Sequence, residues 1–130
     1  MSTSTEADID RDVVVLTVPA DRSYLAVLRT ATAGLAARIG MTLDEIEDLR
    51  IAVDESCAIL LPIVSRGADV TCLFRVEPTV LNVEVSAPIG PTNVLPGPQS
   101  FTWQVLTALA GKVYADLVDG VATIYLTKTR

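Results

Sequence analysis

The stretch "DESCAILLPIV" at residues 54–64 sets two carboxylates, Asp54 and Glu55, at the head of an apolar run. Glu55 stands four residues after Ile51 and four before Ile59, so the three share one face of a helix. A carboxylate between two isoleucines is either half exposed at a groove or costly to bury alone. Lining a pocket, it would be a candidate general base or a ligand for Mg²⁺-bound water. The plainer reading is the solvated edge of a core helix, and Asp54 is expected to face solvent. The second candidate is "PIGPTNVLPGPQ" at residues 88–99, with four prolines and two glycines. This segment cannot form a regular element, and a loop of such length in a small domain is usually functional or mobile. It makes a poor phosphate cradle. No Lys or Arg lies between Arg75 and Lys112. Gly90 and Gly97 adjoin prolines, each of which removes a backbone donor. The N-terminus of the helix opened by Ser100 is what remains for an anion. The third candidate is the edge carrying Arg22, Tyr24 and Arg29, with the two arginines two turns apart. It is either a partner-contact surface or a solvated face.

The elements that must position these residues follow from length, composition and periodicity. The chain has 130 residues, half of them hydrophobic, which predicts one packed domain. Residues 1–11 read as an acidic, disordered tail and residues 12–130 as the domain. The formal net charge of −6 argues against binding nucleic acid through its phosphates, which takes clustered Lys and Arg. It leaves room for a basic protein partner. The two cysteines, Cys57 and Cys72, each sit alone in apolar surroundings and read as buried small hydrophobes rather than a disulfide. With no histidine, the commonest general base is missing and no zinc site is credible. The polar N-terminus does not read as a targeting peptide, and no apolar run has the length of a membrane span. A cytoplasmic protein is expected.

"DVVVLTVPA" reads as a strand ending near Pro19. From Asp21 a helix is predicted with Tyr24, Leu25, Leu28, Leu35 and Ile39 on one stripe and Gly40 as its stop. "TLDE" at residues 42–45 is a capping box. The helix it opens carries Ile46, Leu49, Val53, Cys57 and Leu60 at spacings of three and four, and Pro62 ends it. Two strands joined through Glu-Pro-Thr follow, then the proline loop, then a helix from Ser100 to Gly111. Two final strands turn at Asp119-Gly120. The order β-α-α-β-β-loop-α-β-β predicts a two-layer α+β sandwich.

Three stretches, in this order, resemble the RsbW-type anti-sigma factors, serine kinases of the GHKL superfamily (the Bergerat fold of histidine kinases and gyrase). "YLAVLRTATAGLA" is similar to their first helix, "LRIAVDESCAILL" to their second, and "SFTWQVLTALAGKV" to the helix after their ATP lid. The resemblance is closest to the divergent actinobacterial branch, where "LRxAVDExC" and "SFxWxVLTALA" also occur. It implies a two-layer sandwich whose sheet is mixed and mostly antiparallel, with the helices on one face.

The resemblance also implies what each position should do. In active members the second helix carries a Glu that acts as base or orients water, then an Asn that holds Mg²⁺, then a His. Glu55 keeps the acid, but the Asn position falls on Ile59 and the His position on Ile63. Isoleucine cannot ligate a hard cation, which takes oxygen ligands. The family's Asp-x-Gly-x-Gly motif, whose Asp reads adenine, is here "VSAPIGP". Its Asp falls on Ala87 or Pro88, with Gly90 following. The glycine-rich entry to the later helix is "PGPQSF", with Ser100 at the last glycine. Binding of Mg-ATP is therefore weakly supported, and three missing elements argue against phosphoryl transfer, which needs Mg²⁺ and positioned phosphates. The resemblance implies a sigma factor held by the first helix and its flanks, with Arg29 contributing. It further implies a C2 homodimer and a competing STAS-type anti-anti-sigma factor. Three functions follow: an anti-sigma factor with a degenerate nucleotide site, an active serine kinase acting on the anti-anti-sigma factor, or an interaction domain on an inactive ATPase scaffold.

Overall fold

The computed structural model describes residues 12–130; the expected N-terminal tail lies outside them. Strand β1 (Val13–Pro19) leads through a 3-10 turn (Arg22–Tyr24) into α1 (Leu25–Arg38), and α2 (Leu43–Leu60) follows. After a second 3-10 turn (Leu61–Ile63) come β2 (Asp69–Val76), β3 (Val80–Pro88), α3 (Phe101–Ala110), β4 (Lys112–Val118) and β5 (Val121–Thr129). The five strands form one sheet in the order β1-β2-β3-β5-β4, with every neighbouring pair antiparallel. Three helices and a five-stranded sheet make the two-layer α+β sandwich read from the sequence, but the sheet is wholly antiparallel rather than mixed, because each strand pairs with a neighbour running the other way.

Alternation in the strands places the core. Val70, Cys72 and Phe74 of β2, Leu81, Val83, Val85 and Ala87 of β3, and Ala122, Ile124 and Leu126 of β5 are all buried. Successive strand side chains point to opposite faces, so these residues form one apolar surface. The longest helix, α2, meets it with Leu49, Val53, Cys57 and Leu60. The opposite face carries Thr71, Arg75, Asn82, Glu84 and Thr123 at the alternate positions.

Local chemistry sets the helix ends. Met41 N–H donates to Ala36 O at 3.2 Å and Gly40 N–H to Ala37 O at 3.0 Å, with Gly40 at φ 82. This is a Schellman stop, and glycine adopts its left-handed backbone without a Cβ clash. At the start of α2, Thr42 N–H donates to Glu45 Oε1 at 2.8 Å and Glu45 N–H to Thr42 Oγ1 at 3.1 Å. The expected capping box is therefore closed. Asp119 (φ 52) and Gly120 (φ 77) both have positive φ, as a two-residue I′ hairpin requires.

The structure moves one residue off its expected face. Tyr24 is not on the buried stripe of the first helix; it lies in the preceding 3-10 turn and is 45% exposed. The buried stripe of α1 is Leu25, Leu28, Thr32 and Ala36, while Leu35 and Ile39 pack at its margin. The reason lies at Asp21, whose carboxylate accepts from Ser23 N at 2.9 Å and Ser23 Oγ at 2.8 Å. That cap tightens the first turn, so α1 begins only at Leu25. The same two hydrogen bonds hold the Asp21 carboxyl below its ordinary pKa.

Candidate functional site

Glu55 is half-buried on α2, with Ile51 39% exposed on one side and Ile59 packed against the core on the other. The face deduced from spacing is therefore real, and its isoleucines occupy it with hydrocarbon. One turn beyond Ile59, the helix exit is tied to the exit of β3. Ser65 N–H donates to Pro88 O at 2.8 Å, and Gly90 N–H donates to Ile63 O at 3.3 Å. Val64 and Ile89 form an isolated antiparallel bridge. Ile59, Ile63, Ala87 and Gly90 thus gather at one end of the sandwich. Ala87 is only 2% exposed and Ile89 is also buried. Of the two positions that the resemblance offers for an adenine-reading acid, Ala87 is enclosed and Pro88 is exposed.

Three backbone donors of the proline loop, at Ile89, Gly90 and Asn93, are spent on the protein itself, while those of Thr92, Val94, Leu95, Gly97 and Gln99 make none of the described hydrogen bonds. Asn93 Nδ2 donates to Ile63 O at 3.1 Å and Asn93 N–H to Gly90 O at 3.0 Å. A Cβ at Gly90 would meet Asn93 Nδ2 at 3.1 Å, so the space beside that glycine is filled by the loop's own amide. At the far end, Ser100 N–H donates to Gly97 O at 3.0 Å, and Ser100 Oγ caps α3 by accepting from Trp103 N–H at 3.3 Å. The Trp103 indole donates to Pro96 O at 2.6 Å. A cavity of about 420 Å³ opens between loop, α3 and β4, and Leu95, Pro96, Pro98, Trp103, Thr107, Val113, Tyr114 and Ala115 line it. That lining carries no charge and includes neither Glu55 nor Ile59.

The third candidate edge is divided. Arg22 and Tyr24 are exposed in the 3-10 turn. Arg29, further along α1, crosses to α2, where its Nη1 lies 3.3 Å from both Oδ1 and Oδ2 of Asp54. Asp54 therefore does not simply face solvent as expected: it is 38% exposed and ion-paired, with Arg29 at 41%. Beside this pair, Arg50 Nη2 reaches the Glu47 carboxylate at 2.9 and 3.1 Å. The two pairs border a groove of about 430 Å³ between α1 and α2, completed by Ala26, Thr30 and Ile51. Sequence reasoning singled out Arg29 but missed this ridge. The available signal was the repeat Glu47, Arg50, Asp54 at helical spacing.

The chain matches no protein-family model. It is 37% identical over 125 residues to the anti-sigma-F factor RsbW of Mycobacterium tuberculosis, covering 90% of this chain and 73% of that relative. The chain belongs to the RsbW family of anti-sigma factors and serine kinases. A shorter match, 48% identical over 46 residues, is to the serine-protein kinase RsbW of Bacillus subtilis. It spans 35% of this chain and 29% of that kinase. Among solved structures, the RsbU and RsbW domains of a Mycobacterium tuberculosis protein superpose with a TM-score of 0.67 at 15% identity, covering 90% of this chain and 32% of that one. This likeness speaks to the fold alone, the two-layer sandwich expected from the sequence. No described helix is long and apolar enough to cross a membrane.

Proposed function

We propose that this chain is an anti-sigma factor that works by masking, holding a sigma factor against α1 and its flanks without phosphoryl transfer. The observation that carries the reading is the hydrocarbon at the family's chemical positions. By the family resemblance Ile59 falls at the metal ligand's position, and Ala87 or Pro88 at that of the adenine-reading acid. Phosphoryl transfer depends on Mg²⁺ and on positioned phosphates. The side chains of isoleucine, alanine and proline supply no oxygen for a hard cation. The partner follows from the mycobacterial relative, which is named for a sigma factor. Arg22, Tyr24 and Arg29 form the contact edge in this reading, a STAS-type anti-anti-sigma factor competes for it, and two copies associate as a cytoplasmic homodimer. Residues 12–130 act as one domain.

The second reading is a serine kinase that phosphorylates the anti-anti-sigma factor. Glu55 favours it, because the family acid is kept and is accessible. Incubation with labelled ATP, Mg²⁺ and a STAS partner separates the two. No transfer is expected, and clear phosphorylation of the STAS protein would overturn the masking mechanism. Recovery of no sigma factor from nucleotide-free lysate would favour instead an interaction domain that serves other partners.

A further inference from the structure

We propose that a second copy of this chain docks on the outer edge of β4, so that the two sheets run on through a twofold axis at Ala115. The inference rests on the homodimer of the proposed function and adds to it the surface that forms it.

The edge is open and apolar. β4 ends the sheet and pairs with β5 alone among the described strands. Tyr114 is 62% exposed, Leu117 50% and Val118 58%, and a strand edge that leaves such hydrocarbon in water invites a further strand. The β4–β5 turn fixes which backbone groups are free. Val118 and Val121 close a two-residue hairpin, so this pair exchanges hydrogen bonds, as does every second pair along the strands. Val113, Ala115 and Leu117 therefore turn their N–H and C=O groups to the open edge. The other edge, β1, is not equivalent. Its Leu16 shares a groove with Ala26, Val27 and Thr30 of α1, and in the proposed function that flank belongs to the sigma factor.

The β4 edge also complements itself. Val113, Ala115 and Leu117 pair with Leu126, Ile124 and Ala122, all buried, so their side chains lie on the face toward the helices. On this face the cavity of about 420 Å³ opens beside Val113 and Ala115, walled by Leu95, Trp103 and Thr107 and without a charged residue. Antiparallel pairing about Ala115 sets Leu117 of the second copy opposite Val113, at this cavity. Each copy thus offers one exposed leucine and one uncharged hole, and the exchange is reciprocal, as a twofold contact requires. The opposite face carries Lys112, Tyr114 and Asp116 in order. The same register sets Tyr114 opposite Asp116 of the second copy, a carboxylate that already accepts from a phenol, its own Tyr125, at 3.2 Å. Lys112 lies diagonal to that Asp116, within reach of a long side chain. Opposite charges therefore meet at both ends of the pairing.

The test combines sedimentation equilibrium of the full chain with site-directed crosslinking. Wild type is expected to be a dimer. Leu117→Asp sets a charge in the hole and should raise the dimer dissociation constant about tenfold or more. Ala115→Cys sets a thiol on the axis, where the Cα atoms of a hydrogen-bonded pair lie about 5.5 Å apart, within disulfide reach. Mild oxidation is expected to link two copies of this variant. Cys57 and Cys72 are buried and do not compete. Thr17→Cys, exposed on β1, should stay unlinked under the same oxidation. Leu117→Ser takes the place of Leu117→Asp if circular dichroism shows that the latter fails to fold. A wild-type dimer that Leu117→Asp leaves intact, or that Ala115→Cys fails to link, overturns this inference while the proposed homodimer stands. A monomeric wild type removes the homodimer itself, and the inference with it.

Discussion

Arg29 and Glu55 carry opposite expectations although both are charged, half-exposed residues on neighbouring helices. Arg29 pairs with Asp54 at the rim of the α1–α2 groove, and inverting its charge sets a carboxylate against Asp54. Arg29→Glu should weaken sigma-factor binding by about tenfold or more, because inverting the charge of an exposed contact edge slows association. Glu55 has isoleucines above and below it and forms none of the described hydrogen bonds. Glu55→Ala should leave the same affinity within about twofold in a surface-plasmon measurement. Unchanged binding by Arg29→Glu would count against the contact edge, and a large loss with Glu55→Ala would mean that the acid still works. At this scale the sequence was partly legible. Ile59 and Ala87 could be judged from residue type alone, because no packing turns a hydrocarbon into a metal ligand. The Arg29–Asp54 pair could not, because its members lie 25 residues apart and meet only through the packing of α1 on α2.

The proline loop between β3 and α3 is an element whose order comes from a few hydrogen bonds rather than from regular structure. Its composition announced an irregular segment, but the anchors are non-local and left no sequence pattern. Asn93 reaches back to Ile63, and Trp103 reaches back to Pro96. Trp103→Phe keeps an aromatic ring, though a smaller one, and deletes the indole donor, leaving the Pro96 carbonyl without this partner. The expected cost is about 1 kcal/mol, read as a lower urea midpoint with faster proteolytic nicking within residues 89–100. Cleavage and midpoint identical to wild type would show that the loop is held by other contacts. The helix ends behaved differently. The capping box and the glycine stop are local devices, readable within a single turn, and both appear as expected. The start of α1 was misplaced because the Asp21 cap favours a 3-10 turn that periodicity alone does not reveal.

Across the whole molecule, one apolar layer between α2 and the sheet encloses both thiols. Burial, reinforced by the Asp54 charge, pushes Cys57 up to about 12 from 9.0, and burial likewise pushes Cys72 upward. The unfolded chain loses these thiol protons near pH 9 while the folded chain keeps them. The unfolded state then binds fewer protons, so stability falls as pH rises. The contribution is fully present below about pH 9 and is lost between about 9 and 12. Urea midpoints should drop over this window, and drop less in Cys57→Ala/Cys72→Ala; equal slopes would contradict burial of the thiols. Strand alternation made this core legible, whereas the order β1-β2-β3-β5-β4 was not, because it depends on how the loop and α3 carry the chain past β5.

In the proposed function the α1–α2 surface holds its partner independently of any nucleotide. This is tested most directly by titrating the cognate sigma factor into the protein, once without nucleotide and once with saturating Mg-ATP. Binding is expected in both titrations, with dissociation constants within about twofold of each other. Binding that requires Mg-ATP, or that tightens tenfold in its presence, would contradict it.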